Sequence, residues 1–380
     1  MKKYKRKFVC LLLAFVLACS NIVSVSAEDT QEVQQTVYTE NGLQYVIGED
    51  GATIVGYEGE PTQIVIPEIL RGKSVVTIGE EAFYQCDSLE KVTLPASIRT
   101  LEISSFGECE QLTEINLPEG LERVEQGALA QTRIEKIHLP ASCTYIDNMI
   151  STDYLKEFIV AKENETYYAV DGVLMSNDQI WIYPPAKEDS TYIVPEYIHS
   201  FDAGAFTGIK YLKELNIGNA YVSNIRYISC DILIGEENQF FIKKEGVIYT
   251  IDEKRVLRIP KPLTGTIVIQ DGTEEIDAMA GYECKFSEII IPEGIKKING
   301  SSAFGFCNNL KKVKLPNSLE EIPGHTFAHC SNLEEVIFPS KLKKISMYAF
   351  YKCKKLNKLT VPAMVDKIEN GIFTDCSNLE

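Results

Sequence analysis

The chain has 380 residues, enough for two or three ordinary domains or for one long repeat array. With 45% hydrophobic and 24% charged residues it can bury a core, which excludes a disordered chain. A formal net charge of −16 excludes nucleic-acid binding through a basic surface and opposes adsorption to anionic membranes.

The first residues do not belong to the fold. Lys2, Lys3, Lys5, Arg6 and Lys7 form a basic head, and residues 8–19 are apolar. A bilayer span needs about 20 apolar residues, so this run is short for an anchor. Val25-Ser26-Ala27 then precedes Glu28, the pattern of a secretion signal cleaved after Ala27. A retained anchor, or lipid attachment at Cys19, is the alternative; Leu17 fits a lipid-attachment motif poorly. Cleavage of residues 1–27 removes five cations and moves the formal charge from −16 to −21. The mature protein is therefore expected to be secreted or held at the cell surface, without inserting into a membrane.

Residues 28–40 are polar and are expected to form a flexible lead-in. Residues 41–67 are expected to form an N-terminal β-hairpin cap, because apolar and polar residues alternate on either side of Glu49-Asp50-Gly51. From residue 68 to 380 a period governs the chain. Phe304, Phe327, Phe350 and Phe373 step by 23 residues, and so do Cys284, Cys307, Cys330, Cys353 and Cys376. Phe83 and Phe106, with Cys86 and Cys109, repeat the step. The unit is A-F-x-x-C-x-x-L-x-x-V-x-L-P-x-x-L-x-x-I, as in AFYQCDSLEKVTLPASI and AFGFCNNLKKVKLPNSL.

Each slot has a physical reason. Val-x-Leu alternates apolar and polar, so it predicts one short strand with two side chains inward. The Pro after it cannot donate a ladder hydrogen bond and ends the strand. Ala-Phe predicts a short helical turn that drops Phe into the core. One unit cannot cover its own apolar side, but stacked units can, which gives a quasi-one-dimensional solenoid. The expected fold is therefore an α/β solenoid of about 23-residue units, with short parallel strands and short helical turns.

The middle of the array departs from the plain unit. Residues near 164–195 and 238–269 each carry a hairpin-like pattern. Asn164, Tyr167, Gly172 and Val173 match Asn238, Phe241, Gly246 and Val247 at an offset of 74, so the chain holds a larger duplication. Trp181-Ile182-Tyr183-Pro184 aligns with Leu257-Arg258-Ile259-Pro260. Tyr167, Tyr168, Trp181 and Tyr183 could be mistaken for a carbohydrate platform; hairpin and core packing explains them better. Regular units then resume until the chain stops at Glu380 inside a unit, where the array is expected to be incomplete.

Nine cysteines follow the signal, and seven of them share one repeat slot. Side chains stacked in register point the same way, which disfavours disulfide geometry. A ladder of small buried thiols is expected, each a weak donor to a nearby carbonyl. The stretch HTFAHC places His325 and His329 four residues apart, a spacing that could grip zinc on a helix. Both occupy variable slots, however: other units carry Glu81 or Ser104 in the first and Gln85 or Glu108 in the second. They are expected to be surface positions, with no metal and no cofactor.

The recurring AFxxCxxLxxVxLPxxL unit, the leading hairpin and the Y-x-x-x-D-G-V-L insertion resemble the BspA-type leucine-rich repeat proteins, over about residues 41–380. The resemblance implies a curved leucine-rich-repeat solenoid with strands on the concave side. It also implies a secreted or surface protein, mostly bacterial, that adheres to matrix proteins, host cells or other microbes. If that strand surface binds, the outward positions Thr93, Asn116, His138, Ile159, Asn216, Ile290, Lys314, Ile337 and Thr360 line it, flanked by residues such as Lys91, Glu114, Lys136, Lys312 and Glu335. Ile159, Ile290 and Ile337 are exposed apolar candidates that favour a protein partner.

Three functions are weighed. An exported protein-binding module leads, with extracellular proteins or host and microbial cell-surface ligands as partners. A passive spacer presenting a missing downstream domain is the alternative. An enzyme is not expected: there are four histidines, and no G-x-S-x-G, phosphate loop or H-E-x-x-H occurs.

Overall fold

The repeat slots account for the coil. In the first full unit Val92 and Leu94 turn inward and are buried, while Lys91 and Thr93 between and beside them face out. The same alternation buries Val313 and Leu315 and exposes Lys312 and Lys314. The structure, a computed structural model, describes residues 36–147, 152–357 and 359–379. The expected signal, residues 1–27, lies outside the described residues.

Tyr38–Glu40 pairs antiparallel with Leu43–Ile47, which pairs antiparallel with Ala52–Tyr57. Strand structure thus begins three residues before the start expected from the Asn41 hairpin. Ala52–Tyr57 then pairs in parallel with Lys73–Ile78, so the hairpin feeds directly into the stack.

Each coil carries two short strands, and each strand pairs in parallel with its counterparts in neighbouring coils. The Val-x-Leu segments form ladders of this kind: one joins Gln63–Val65, Lys91–Thr93 and Glu114–Ile115, and another joins Thr266–Val268, Glu288–Ile290, Lys312–Lys314 and Glu335–Ile337. The segment ending in the Leu-x-x-Ile slots forms a second ladder. Lys73–Ile78, Thr100–Leu101, Arg123–Val124 and Tyr145–Ile146 belong to it.

The expected helical turns do not form, and the fold is a β-solenoid rather than α/β. Among the described residues the helical segments are two short 3-10 turns, Ala203–Phe206 and Ile225–Tyr227. The reason lies in the backbone around Ala-Phe. Glu81 and Gln85 have φ of 53° and 57°, and His325 and His329 have 57° and 62°. A right-handed helix needs φ near −60° at every residue, so a left-handed residue at every fourth position forbids it. The N–H groups of Glu81, Phe83 and Gln85 instead donate to Ile103, Ser105 and Gly107 of the next coil at 2.9–3.0 Å. Those of Ala82 and Tyr84 close turns within the coil, onto Gly79 and Glu81. The turns therefore make a third ladder along the stack.

Phe side chains fill the interior beneath these turns. Phe304, Phe327 and Phe350 stack with centroids 5.5 and 5.4 Å apart, and Phe83 stacks on Phe106 at 5.0 Å. The two hairpin units cut across the core. Val173–Ser176 is buried along its whole length: Leu174 packs with the preceding coils, and Val173 and Met175 with the following ones. Tyr183, also buried, stacks on Phe206 at 5.1 Å.

Candidate binding face

The outward slot of the Val-x-Leu strands sets most of the expected site residues in rows within four separate sheets, because parallel in-register pairing brings equivalent residues side by side. Val65 lies beside Thr93, and His138 beside Ile159. Ile193, Asn216 and Leu233 form one row. Val268, Ile290, Lys314 and Ile337 form another. Thr360 is exposed but lies in no strand among the described residues.

Two of the expected residues are engaged by the backbone. Asn116 follows a strand of only two residues. Its Nδ2 donates to Leu94 O at 2.9 Å, and its Oδ1 accepts from Leu94 N–H at 2.7 Å, extending the ladder by a side chain. Asn216 Oδ1 accepts from Gly218 N–H at 2.9 Å and fixes the turn after its strand. Both are spoken for before any ligand arrives.

Thr93, Asn116 and His138 share an open groove of about 970 Å³, with Arg133 and Tyr154 at its edge. Ile337 and Thr360 share a second of about 860 Å³. The flanking charges pair from coil to coil: Lys91 with Glu114 at 2.5 Å, Lys136 with Glu157 at 2.5 Å, and Lys312 with Glu335 at 2.9 Å. The hydrogen bond between Lys136 and Glu157 raises the lysine's pKa and holds the carboxyl below its ordinary value. Exposed pairs of this kind contribute about 0–1 kcal/mol, so they pattern the surface more than they hold the fold.

Sequence reasoning missed Val65, Ile193, Leu233 and Val268, all exposed at the outward slot of Val-x-Leu strands in three separate sheets. Their signal was the strand alternation itself. Val65 fell inside the presumed cap, Val268 inside a presumed hairpin insertion, and Ile193 and Leu233 in units that depart from the plain consensus.

The histidines of HTFAHC pack against aromatic rings. Among the described residues no group of three or more His, Cys, Asp and Glu could hold an ion. His329 stacks on Phe306 at 4.1 Å and His325 packs near Tyr348 at 5.3 Å. Partial burial, then the nearby Lys352, lowers the His329 pKa. The nine described cysteines are unpaired. Among the described residues no helix is long and apolar enough to cross a membrane.

The pattern of the BspA type leucine rich repeat region matches this chain in six copies, over residues 62–160 and 262–380. The chain belongs to the BspA-type leucine-rich repeat family. Solved structures similar to this BspA-type chain come from several bacteria. A leucine rich cell surface protein from Faecalibacterium prausnitzii is 19% identical, with 91% of this chain and 93% of that one covered and a TM-score of 0.59. A leucine-rich repeat protein from Eubacterium ventriosum is 18% identical, with 89% and 94% covered and a TM-score of 0.45. The pneumococcal vaccine antigen PcpA is 18% identical, with 91% and 97% covered and a TM-score of 0.41. No curated protein matches the chain. At these identities the first likeness speaks to the fold alone. What this BspA-type array can do chemically follows from its own surface: it offers a long strand face with paired charges and rows of exposed aliphatic side chains.

Proposed function

We propose that this protein is an exported protein-binding module whose strand face engages other proteins in cell-surface adhesion or host–microbe contact. The observation that carries this reading is the row formed by Val268, Ile290 and Ile337, which are 43%, 48% and 38% exposed. They stand on neighbouring rungs of one parallel ladder, with Lys314 between the last two. Rungs lie about 4.8 Å apart, so Val268 and Ile290 adjoin and Ile337 stands two rungs on, beyond Lys314; exposed apolar surface of this kind marks interaction sites. The signal-like N-terminus and a similar protein described as a cell surface protein support an exported location.

The test is binding of the purified protein to immobilised extracellular-matrix proteins and to whole epithelial cells. A second sample carries Ile290→Glu and Ile337→Glu together, with its fold checked by circular dichroism. Saturable binding that falls at least about tenfold in the double variant is the expected result, since burying two carboxylates removes the apolar contact. Binding unchanged in the folded variant moves the site off this face. No binding by the folded native protein overturns the reading.

A further inference from the structure

The two hairpin units share one plan, bulge included, and differ in the side chains that face the preceding strand. In the first, Leu174 pairs with Ile182 and Met175 with Ile180, so Trp181 is the extra residue of a β-bulge. In the second, Ile248 pairs with Arg258 and Tyr249 with Val256, and Leu257 is the extra residue. A bulge re-aims a side chain. Trp181 reaches back to the strand Tyr145–Ile146, where its Nε1 donates to Ile146 O at 2.9 Å. The Tyr167 hydroxyl accepts from Ile146 N–H at 3.1 Å. Two aromatic side chains thus satisfy the backbone groups of Ile146 that face the hairpin.

The second copy lacks both partners. Phe241 stands for Tyr167 without a hydroxyl, and Leu257 stands for Trp181 without an N–H. The strand Tyr221–Ser223 takes the place of Tyr145–Ile146. Its Tyr221 N–H donates to His199 O, so by strand alternation the N–H and C=O of Val222 point the other way, toward the hairpin. A cavity of about 530 Å³ opens there, lined by Val222, Phe241 and Leu257. That volume lies in the range of small-ligand sites. Tyr221 and Phe240, each 43% exposed with rings 5.2 Å apart, form one wall. Arg226 also lines the cavity: its guanidinium already lies over the Tyr227 ring, 4.9 Å from the centroid, and donates to Asn224 Oδ1 at 3.5 Å, while its buried Nε has no hydrogen-bond partner. The remaining charges are engaged as well: Arg255 holds Asp277 through three hydrogen bonds of 2.6, 2.9 and 3.2 Å, and Asp252 accepts from Thr250 and from Lys254 N–H.

We propose that this cavity is a socket for an aromatic side chain, a tryptophan or tyrosine presented by a protein partner. Such a ring supplies what the first copy supplies to itself: a flat apolar body, and an N–H or hydroxyl for the Val222 backbone. Its face also offers a second ring to Arg226, which already lies over Tyr227. Aromatic anchors seated in pockets carry much of the energy of protein interfaces. Charge points the same way, since two arginines against two carboxylates leave the lining without a net field for an anionic ligand. The socket lies beside the second strand ladder and not on the Val-x-Leu face, so it stands whether or not that face binds.

The experiment titrates the whole protein with N-acetyl-tryptophanamide and N-acetyl-tyrosinamide, followed by saturation-transfer NMR, with N-acetylglucosamine as a comparison probe. Leu257→Trp fills the socket with the residue the first copy already accommodates, and Phe240→Ala removes an exposed wall. The expected result is saturable binding of an aromatic amide, weakened at least tenfold in each variant that keeps the native circular dichroism and melting temperature. Should Leu257→Trp fail to fold, Phe240→Ala carries the test alone. The Ile290→Glu, Ile337→Glu protein should bind the probes as the native protein does, which separates the socket from the strand face. Absence of saturable binding, equal binding by the folded variants, or preference for N-acetylglucosamine over both aromatic amides overturns the proposal.

Discussion

The thiol of Cys353 donates to the carbonyl oxygen of Phe327, one coil back, at 3.1 Å, and the same oxygen accepts the N–H of Cys330 at 3.2 Å. This Phe carbonyl thus ties two coils together. Cys109 to Phe83 at 3.0 Å and Cys330 to Phe304 at 3.2 Å repeat the arrangement. Replacing Cys353 by alanine leaves a fully buried carbonyl with one partner fewer and a void the size of a sulfur. We expect a loss of about 1–3 kcal/mol, measured by urea unfolding. An unchanged midpoint would mean that the thiol only fills space.

Burial makes the interior thiols, inside and outside this ladder, sensitive to alkali. It pushes Cys109 up to about 12, and Cys143 and Cys230 up to about 11, from an ordinary value of 9.0. These groups stay protonated in the folded protein while the unfolded chain ionises. Their contribution is therefore fully present below about pH 8.5 and is lost as pH rises toward 11–12. The melting temperature should fall steeply between pH 8 and 10.5, and the slope should be shallower in Cys109→Ala.

Phe327 is buried between Phe304 and Phe350. Truncating it to alanine should cost about 3–5 kcal/mol, the usual range for a core phenylalanine. Differential scanning calorimetry would show it as a lowered melting temperature. A cost under about 1 kcal/mol would mean that the column collapses to fill the gap.

His329 tests whether the turn slot or the imidazole matters. Its φ of 62° favours glycine and penalises β-branched residues. His329→Gly should be close to neutral, the relief of backbone strain offsetting the lost stack on Phe306. His329→Val should destabilise by roughly 1–3 kcal/mol. Zinc should leave the melting temperature of the native protein unchanged; a rise with added zinc would reopen the metal reading.

Much of the coil was legible because Val-x-Leu-Pro and the Phe and Cys columns carry a rigid period. That period placed Val92 and Val313 inside and Thr93 and Lys314 outside, where the structure has them. The turn was not legible in the same way. Ala-Phe-x-x-Cys mimics one turn of an apolar helix face, and the residues that forbid a helix are ordinary ones such as Glu81, Ser302 and Lys352. One signal was available: Gly127 and Gly371 occupy the slot held by Ser104 and His325 in other units, and both have positive φ. The clamp made by Asn116 could not be foreseen, because it depends on where its strand happens to end. Nor could the socket, since a bulge appears only once pairing is known.

The left-handed turns have a consequence for how such an array changes length. Regular coils pass turn N–H groups to carbonyls of the next, so each of them meets its regular neighbours through the same three ladders. Recombination that removes or adds a whole coil leaves each donor facing an acceptor. Losing a single codon within a turn throws the Phe column, the thiols and the left-handed residues out of step with both neighbours. The larger deletion is the gentler one, and the length of the strand face can drift in whole turns while its architecture stays fixed.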